Sequence, residues 1–340
     1  MSRDLYRPCR ELWRRTLLAL ALACLAAAGA AQAEPLKVGI LKVGASGPLY
    51  IAQDRGYFAA EGLDVQFSSF GAGQAVAVAV VAGDVDIGVT GLTAGLYNLA
   101  SGGQIRVIAG LHREAHGFHM LGYFASKRAW DAGLRSLAAI KGHSVALTTI
   151  GSTTHYAVGL LAMKYGFPIE SVRILPLQSI PNSAAAVVGG QADVGMIPST
   201  LNAEMDKAGA HNLGWVGDET PWQIGAVFMT AKNAAAQRDR NTRFLKALRR
   251  GARDYHDAFT DAKGERADGP NAPAMLAIIA KYIGKPPQDL DHQMPYVDPQ
   301  LRLDVKDVRR QIAWYKAHGM VKGDITAERL IDKHYAVVLQ

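Results

Sequence analysis

Val81-Ala82-Gly83-Asp84-Val85-Asp86-Ile87-Gly88 is followed, 107 residues further on, by Val188-Gly189-Gly190-Gln191-Ala192-Asp193-Val194-Gly195. The same offset lays Lys37-Val38-Gly39-Ile40-Leu41 on Ser144-Val145-Ala146-Leu147-Thr148, and Val65 and Phe67 on Val172 and Ile174. An offset held without a gap over roughly 60 residues marks a duplicated structural unit.

Each unit reads as βαβαβ. In the first, the apolar strand Leu36–Leu41 runs into a turn, Gly44-Ala45-Ser46-Gly47-Pro48. A helix-period segment follows from Leu49 to Ala60, closed by Gly62, a residue free to take positive φ. Leu63–Phe70 alternates as a strand, Gln74–Ala82 is a helix of small residues, Val85–Val89 a third strand and Thr93–Ser101 another helix. The second unit repeats the order in Ser144–Thr148, Thr153–Tyr165, Val172–Leu177, Ala184–Val188 and Val194–Ile197. Strands alternating with helices predict parallel sheets wound by right-handed crossovers.

Ile105–Leu111, Phe118–Ala125 and Gln223–Thr230 are further strand-like runs, and from Asn241 onward the chain turns helical. The expected fold is α/β, with two Rossmann-like lobes joined by a two-strand hinge. Lobe one takes residues 34–125, lobe two 126–221, and residues 222–340 supply the return strand and C-terminal helices that complete lobe one. Phe118–Ala125 and Gln223–Thr230 would be the antiparallel hinge strands.

The chain's 340 residues exceed what one core usually supports, which agrees with two lobes. Its formal charge of +7 is misleading. Arg3, Arg7, Arg10, Arg14 and Arg15 precede an uncharged run, Thr16 to Ala31, and Ala31-Gln32-Ala33 then offers small residues to a signal peptidase. Residues 1–33 therefore read as a secretory signal cleaved after Ala33, for export to the periplasm; a lipid anchor at Cys24 is the lesser alternative. Five of the 37 basic and two of the 30 acidic residues leave with it, so the exported chain carries net +4. Both cysteines, Cys9 and Cys24, leave too. A thiol-free, weakly basic chain excludes a disulfide scaffold, a cysteine-based zinc module and a nucleic-acid partner.

Ligands of open α/β sheets bind beyond the carboxyl ends of the strands. Those loops carry Lys42, Gly44 and Ser46, then Gly73 and Gln74, then Thr90, Gly91 and Thr93 in lobe one. Lobe two adds Ser152, Thr153, Thr154 and His155, then Gln178, then Ser199, with His116 and Trp222 near the crossovers. Gly, Ser and Thr where helices begin cap them and leave backbone N–H groups and the positive dipole end toward a guest. The expected guest is a small anion, with Lys42 and His155 as candidate partial cations.

Leu49-Tyr50-Ile51-Ala52-Gln53-Asp54-Arg55-Gly56-Tyr57-Phe58-Ala59-Ala60-Glu61-Gly62-Leu63-Asp64-Val65, together with Val81–Gly88, resembles the type II periplasmic solute-binding proteins of ABC importers. The branch is the nitrate/sulfonate/taurine and thiamine-precursor group. Gly151-Ser152-Thr153-Thr154-His155-Tyr156, Leu177-Gln178 and Pro181 are similar to its taurine-binding members, while Met196-Ile197-Pro198-Ser199-Thr200 departs from them. Trp314–Val321 and Leu330-Ile331-Asp332 fit the family's terminal helices. The resemblance implies a monomeric receptor that closes around a small organic anion, a sulfonate or a carboxylate, and delivers it to an ABC permease. A thiamine-pyrimidine precursor and an enzyme on the same fold stay open as alternatives. His112, His116 and His119 read as a polar hinge-side loop rather than a metal site, Asp86 and Asp193 as structural, and no cofactor is expected.

Overall fold

The computed structural model describes residues 33–290 and 294–339. The expected export signal, Ala33 apart, lies outside the described residues. The strands are β1 (Glu34–Leu41), β2 (Leu63–Phe70), β3 (Ile87–Gly91), β4 (Ile105–Gly110), β5 (His112–Glu114), β6 (Leu121–Ala125), β7 (Ser144–Leu147), β8 (Arg173–Pro176), β9 (Val194–Pro198), β10 (His211–Trp215), β11 (Trp222–Gln223), β12 (Gly225–Thr230) and β13 (Tyr296–Val297). The longer helices are α1 (Gly47–Asp54), α2 (Gly73–Ala82), α3 (Ala94–Ser101), α4 (Thr153–Tyr165), α5 (Ile180–Val188), α6 (Arg238–Phe259), α7 (Ala272–Ile283) and α8 (Val305–Ala317).

Two five-stranded sheets form, in the orders β2-β1-β3-β12-β4 and β10-β6-β9-β7-β8. The repeat is present down to its register. Val38 pairs with Ile87 and Gly39 with Gly88 between β1 and β3; Val145 pairs with Val194 and Ala146 with Gly195 between β7 and β9. Every partner is displaced by the same 107 residues. The two aspartates hold equivalent places. Asp86 accepts the Lys37 amide at 2.9 Å, and Asp193 accepts the Ser144 amide at 2.8 Å. Each carboxylate ties the start of one strand to the turn before another.

Three expectations need correction. The sheets are mixed rather than parallel: β12 runs antiparallel to β3 and β4, and β6 antiparallel to β9 and β10. Phe118–Ala125 and Gln223–Thr230 do not pair as a hinge, because β6 belongs wholly to the second sheet and β12 to the first. The chain thus enters the second sheet before residue 126. The crossing segments are β5 and β11, which join β13 in a small sheet, with Trp222 opposite Glu114 and Gln223 opposite Arg113. An apolar run identifies a strand but not its partner, and strands of two or three residues leave no period to read. Third, the helix expected over Leu49–Ala60 breaks at Gly56, which takes φ 69°, into α1 and a short turn, Tyr57–Ala60. Helix α5 starts four residues ahead of Ala184, where Ser179 caps it and Pro181 occupies its first turn.

Helices α6 and α7 pack on α1. Phe58 and Phe244 stack at 5.2 Å, and a methyl on Gly251 would fall 2.2 Å from the Pro48 carbonyl, so glycine lets α6 cross α1 at backbone contact. Helix α8 behaves differently. Its Trp314 covers Gly159 and meets Tyr156 edge-on at 5.3 Å, and the Tyr315 hydroxyl donates to the Ser152 carbonyl at 2.9 Å. The C-terminal region therefore braces lobe two as well as lobe one, and one apolar core runs from Val76 and Tyr97 through Tyr315 to Tyr156 and Val145.

Candidate functional site

One cavity of about 90 Å³ lies between the carboxyl ends of the two sheets, large enough for several water-sized groups. Five helices point their N-termini at it. Ser46 precedes α1, Ala72, Gly73 and Gln74 open α2, Thr93 caps α3, Ser152 caps α4, and Ile180 opens α5. Each terminus brings partial positive charge; at α5 the first-turn amides are already used, Ile180 on Gly71 and Asn182 on Ser179, and Pro181 has none.

The local chemistry follows from small residues. Thr93 Oγ1 accepts the Leu96 amide at 3.1 Å, and Ser152 Oγ accepts the His155 amide at 3.2 Å while sharing a hydrogen bond with Thr154 at 2.9 Å. Ser46 donates to the Leu41 carbonyl at 2.7 Å, closing the turn after β1. A Cβ on Gly73 would come 2.7 Å from Thr90 Oγ1, so glycine is what lets α2 approach β3. Thr90 Oγ1 is buried with no hydrogen-bond partner. An unmade hydrogen bond on a buried polar atom costs about 1–3 kcal/mol, which a polar guest would recover.

The remaining wall is apolar and includes Leu41, Val43, Val89, Met120, Met196 and Met294. Among the described residues, none of those lining the cavity is Asp, Glu, Lys or Arg, and none is Phe, Tyr or Trp. Eleven of the anticipated residues line the cavity: Gly44, Ser46, Gly73, Gln74, Thr90, Gly91, Thr93, Ser152, Thr153, Thr154 and Ser199.

Five do not. Lys42 is exposed on the outer surface, because the turn after β1 bends its neighbours Val43 and Gly44 inward instead. Gln178 is exposed as well, with its backbone in the left-handed region at φ 70° and its amide donating to Thr148. His116 stands 89% exposed and pairs with Asp218 at 3.1 Å. Trp222 is buried in the hinge sheet against Tyr156 at 4.8 Å. His155 lies behind the loop rather than in it: its Nδ1 accepts the Gly151 amide at 3.0 Å. Burial, with the nearby His318 adding to it, pushes the His155 pKa down to about 4, so the ring is a neutral buttress and not a cation.

His112 was passed over as part of a polar loop, yet its ring lines the cavity. Its position depends on Gly225, over which the ring lies closely enough that any Cβ would fall 2.4 Å away. Among the described residues, no group of three or more His, Cys, Asp or Glu side chains is arranged to hold a metal ion.

The two rims touch. The Ala94 amide donates to the Gly151 carbonyl at 2.9 Å, and the Ile180 amide to the Gly71 carbonyl at 3.2 Å. Lys285 bridges from the end of α7 to the Thr200 carbonyl at 2.9 Å and to Glu204 at 2.6 Å. Gly91 faces Thr153 so closely that a Cβ would sit 2.3 Å from its methyl.

Two sheets of duplicated register, a three-strand crossing and a cleft between carboxyl ends together define the periplasmic binding protein fold. The chain belongs to the NMT1/THI5-like family, whose pattern matches residues 45–262. No curated protein matches it in sequence. Among solved structures, it is similar to the alkanesulfonate-binding protein SsuA of Xanthomonas axonopodis bound to MOPS, at 17% identity and TM-score 0.69, covering 88% of this chain and 98% of that one. The periplasmic aliphatic sulphonate-binding protein SsuA of Escherichia coli aligns at 17% identity and TM-score 0.64, covering 90% and 94%. The periplasmic nitrate-binding protein NrtA of Synechocystis aligns at 13% identity and TM-score 0.68, covering 89% and 87%. Among the described residues, no helix is long and apolar enough to cross a membrane.

Proposed function

We propose that this protein is the exported, non-catalytic receptor of an ABC importer. It captures a small organic anion, a sulfonate or a carboxylate with a short apolar portion, by closing two lobes upon it. A membrane permease then receives the anion. The carrying observation is the meeting of five helix N-termini on one cavity lined, among the described residues, by no Asp, Glu, Lys or Arg, with Thr90 Oγ1 unpartnered inside it. Backbone amides and hydroxyls would hold the head group, and the Met120, Met196 and Met294 wall the tail. Solved structures of like fold that bind alkanesulfonates and nitrate support the anionic class.

A thiamine-pyrimidine precursor is the weaker reading, because among the described residues no Phe, Tyr or Trp lines the cavity to stack on a flat ring. Catalysis is weaker still, since among the described residues no carboxylate or lysine lines it. A thermal-shift series on the exported chain tests the proposal with alkanesulfonates, aliphatic carboxylates and a hydroxymethylpyrimidine. A ligand at 100 times its Kd stabilises by about 2.7 kcal/mol. A rise in Tm with the pyrimidine alone, or recovery of a sulfonate chemically altered, would overturn it.

A further inference from the structure

We propose that His112 is the cation of the cleft, taking up a proton from solvent as the anion enters, so that capture and proton uptake are one event. The inference rests on the anion reading above and extends it to a residue and a linkage. Among the described residues, His112 is the only titratable side chain lining the cavity. It is 7% exposed, and its Nδ1 has no hydrogen-bond partner. A buried imidazole with an unused nitrogen and an equally unpartnered Thr90 hydroxyl both line this one cavity. The two sit at the start of one strand, since Ala226 of β12 pairs with Thr90 and the His112 ring lies on Gly225.

Among the described residues, no charged side chain competes for the ring. Strand β11 brings the Gln223 amide, bonded to the His112 carbonyl at 3.2 Å; β12 brings Gly225, and β13 brings Val297 opposite. On its own strand, Arg113 lies over the Tyr296 ring. Glu114 accepts the Leu121 amide at 3.0 Å, and burial pushes its carboxyl pKa well up, toward the neutral form. The empty cleft therefore leaves His112 uncharged, with burial holding its pKa down to about 4. A sulfonate or carboxylate placed against it is the opposite charge that the site otherwise lacks, and it raises that value. The complex then binds more protons than the free protein, so affinity rises as pH falls. The gain reaches at most tenfold per pH unit between the bound and free values. His112 also stands on β5, a crossing strand, so the charge forms at the pivot of closure.

The test is titration calorimetry with butanesulfonate, which stays ionised throughout, from pH 8 to pH 6. Measurements run in phosphate and in Tris, whose ionisation enthalpies differ. Expected are a Kd that tightens about threefold or more over that range and proton uptake reported by the difference between buffers. His112→Asn should bind with a flat profile and no uptake; the wild-type buffer comparison stands alone if that variant does not fold. Tight binding with no uptake, or an identical slope in His112→Asn, overturns the role of His112 and leaves the anion receptor intact. Failure of butanesulfonate and butyrate alike to bind at any pH overturns both.

Discussion

The turn after the first strand of each lobe solves one problem in two ways. Gly44-Ala45-Ser46-Gly47-Pro48 in the first lobe and Gly151-Ser152-Thr153-Thr154-His155 in the second stand 107 residues apart, position for position. Both begin a helix at the cleft. In the first, Pro48 presets φ in the opening turn of α1, and Ser46 makes no capping bond. Gly47 leaves room for Tyr255 of α6, which would lie 2.8 Å from any Cβ there. In the second, Ser152 caps α4 through its hydroxyl and His155 holds the Gly151 amide from behind. The duplicated backbone keeps its place; the device that steadies it depends on what packs outside. The lobe covered by α6 and α7 uses shape, and the lobe braced by α8 uses hydrogen bonds.

The largest effect should come from removing that brace. Trp314→Ala is expected to lower unfolding stability by about 3–5 kcal/mol in urea denaturation, and a loss below about 1 kcal/mol would separate α8 from lobe two. The paired aspartates come next. Asp193 takes the amide and hydroxyl of Ser144, each at 2.8 Å, and Arg128 at 2.7 Å, with its side chain 13% exposed. Asp86 takes the Lys37 amide at 2.9 Å and Arg240 at 3.4 Å, and is 29% exposed. Although burial pushes the Asp193 carboxyl up, the bonds from Ser144 and the charge of Arg128 outweigh it and hold the pKa below the usual range. Asp193→Ala should therefore cost about 3 kcal/mol and Asp86→Ala about 1 kcal/mol. Equal losses would mean that the lobes do not differ at this point.

Contact between the lobes is tested by Gly91→Ala. The added methyl meets Thr153, so ligand affinity should weaken about tenfold, near 1.4 kcal/mol, with Tm almost unchanged. Adding Thr153→Ser removes the opposing methyl and should restore affinity; a double variant no better than the single one would place the fault elsewhere. The smallest effect concerns pH. His155 is held neutral with its pKa near 4 against an ordinary 6.5. The unfolded chain thus takes the proton first, and stability is complete above pH 6.5 and falls as pH drops toward 4. Between pH 7 and pH 6 His155→Asn should remove about 0.7 kcal/mol of that fall, read from melting curves at both values.

The repeat carried most of the architecture because identical spacing implies identical pairing, and β1–β3 and β7–β9 match to the residue. The cleft loops were legible for the same reason, since their place follows from strand ends. The crossing was not. His112–Glu114 and Trp222–Gln223 are too short for periodicity, and two longer runs nearby drew the hinge to themselves. His112 escaped notice because its seat is made by Gly225, far along the chain. The methionine wall draws Met120, Met196 and Met294 from three separate segments, with nothing local to connect them. Lys42 misled in the opposite direction: a cation beside a binding loop is only an indication until the turn decides which way it faces.

Lys285 reaches from one rim to Glu204 on the other with 23% of its side chain exposed, and Glu204 with 59%. A pair so placed adds roughly 0–1 kcal/mol and is screened over about 8 Å at physiological ionic strength. It forms only when the rims meet, so its energy belongs to the shut receptor and not to the encounter. On the proposed closure, ionic strength acts as a timer: through this pair, salt shortens the dwell of the captured solute by up to about fivefold.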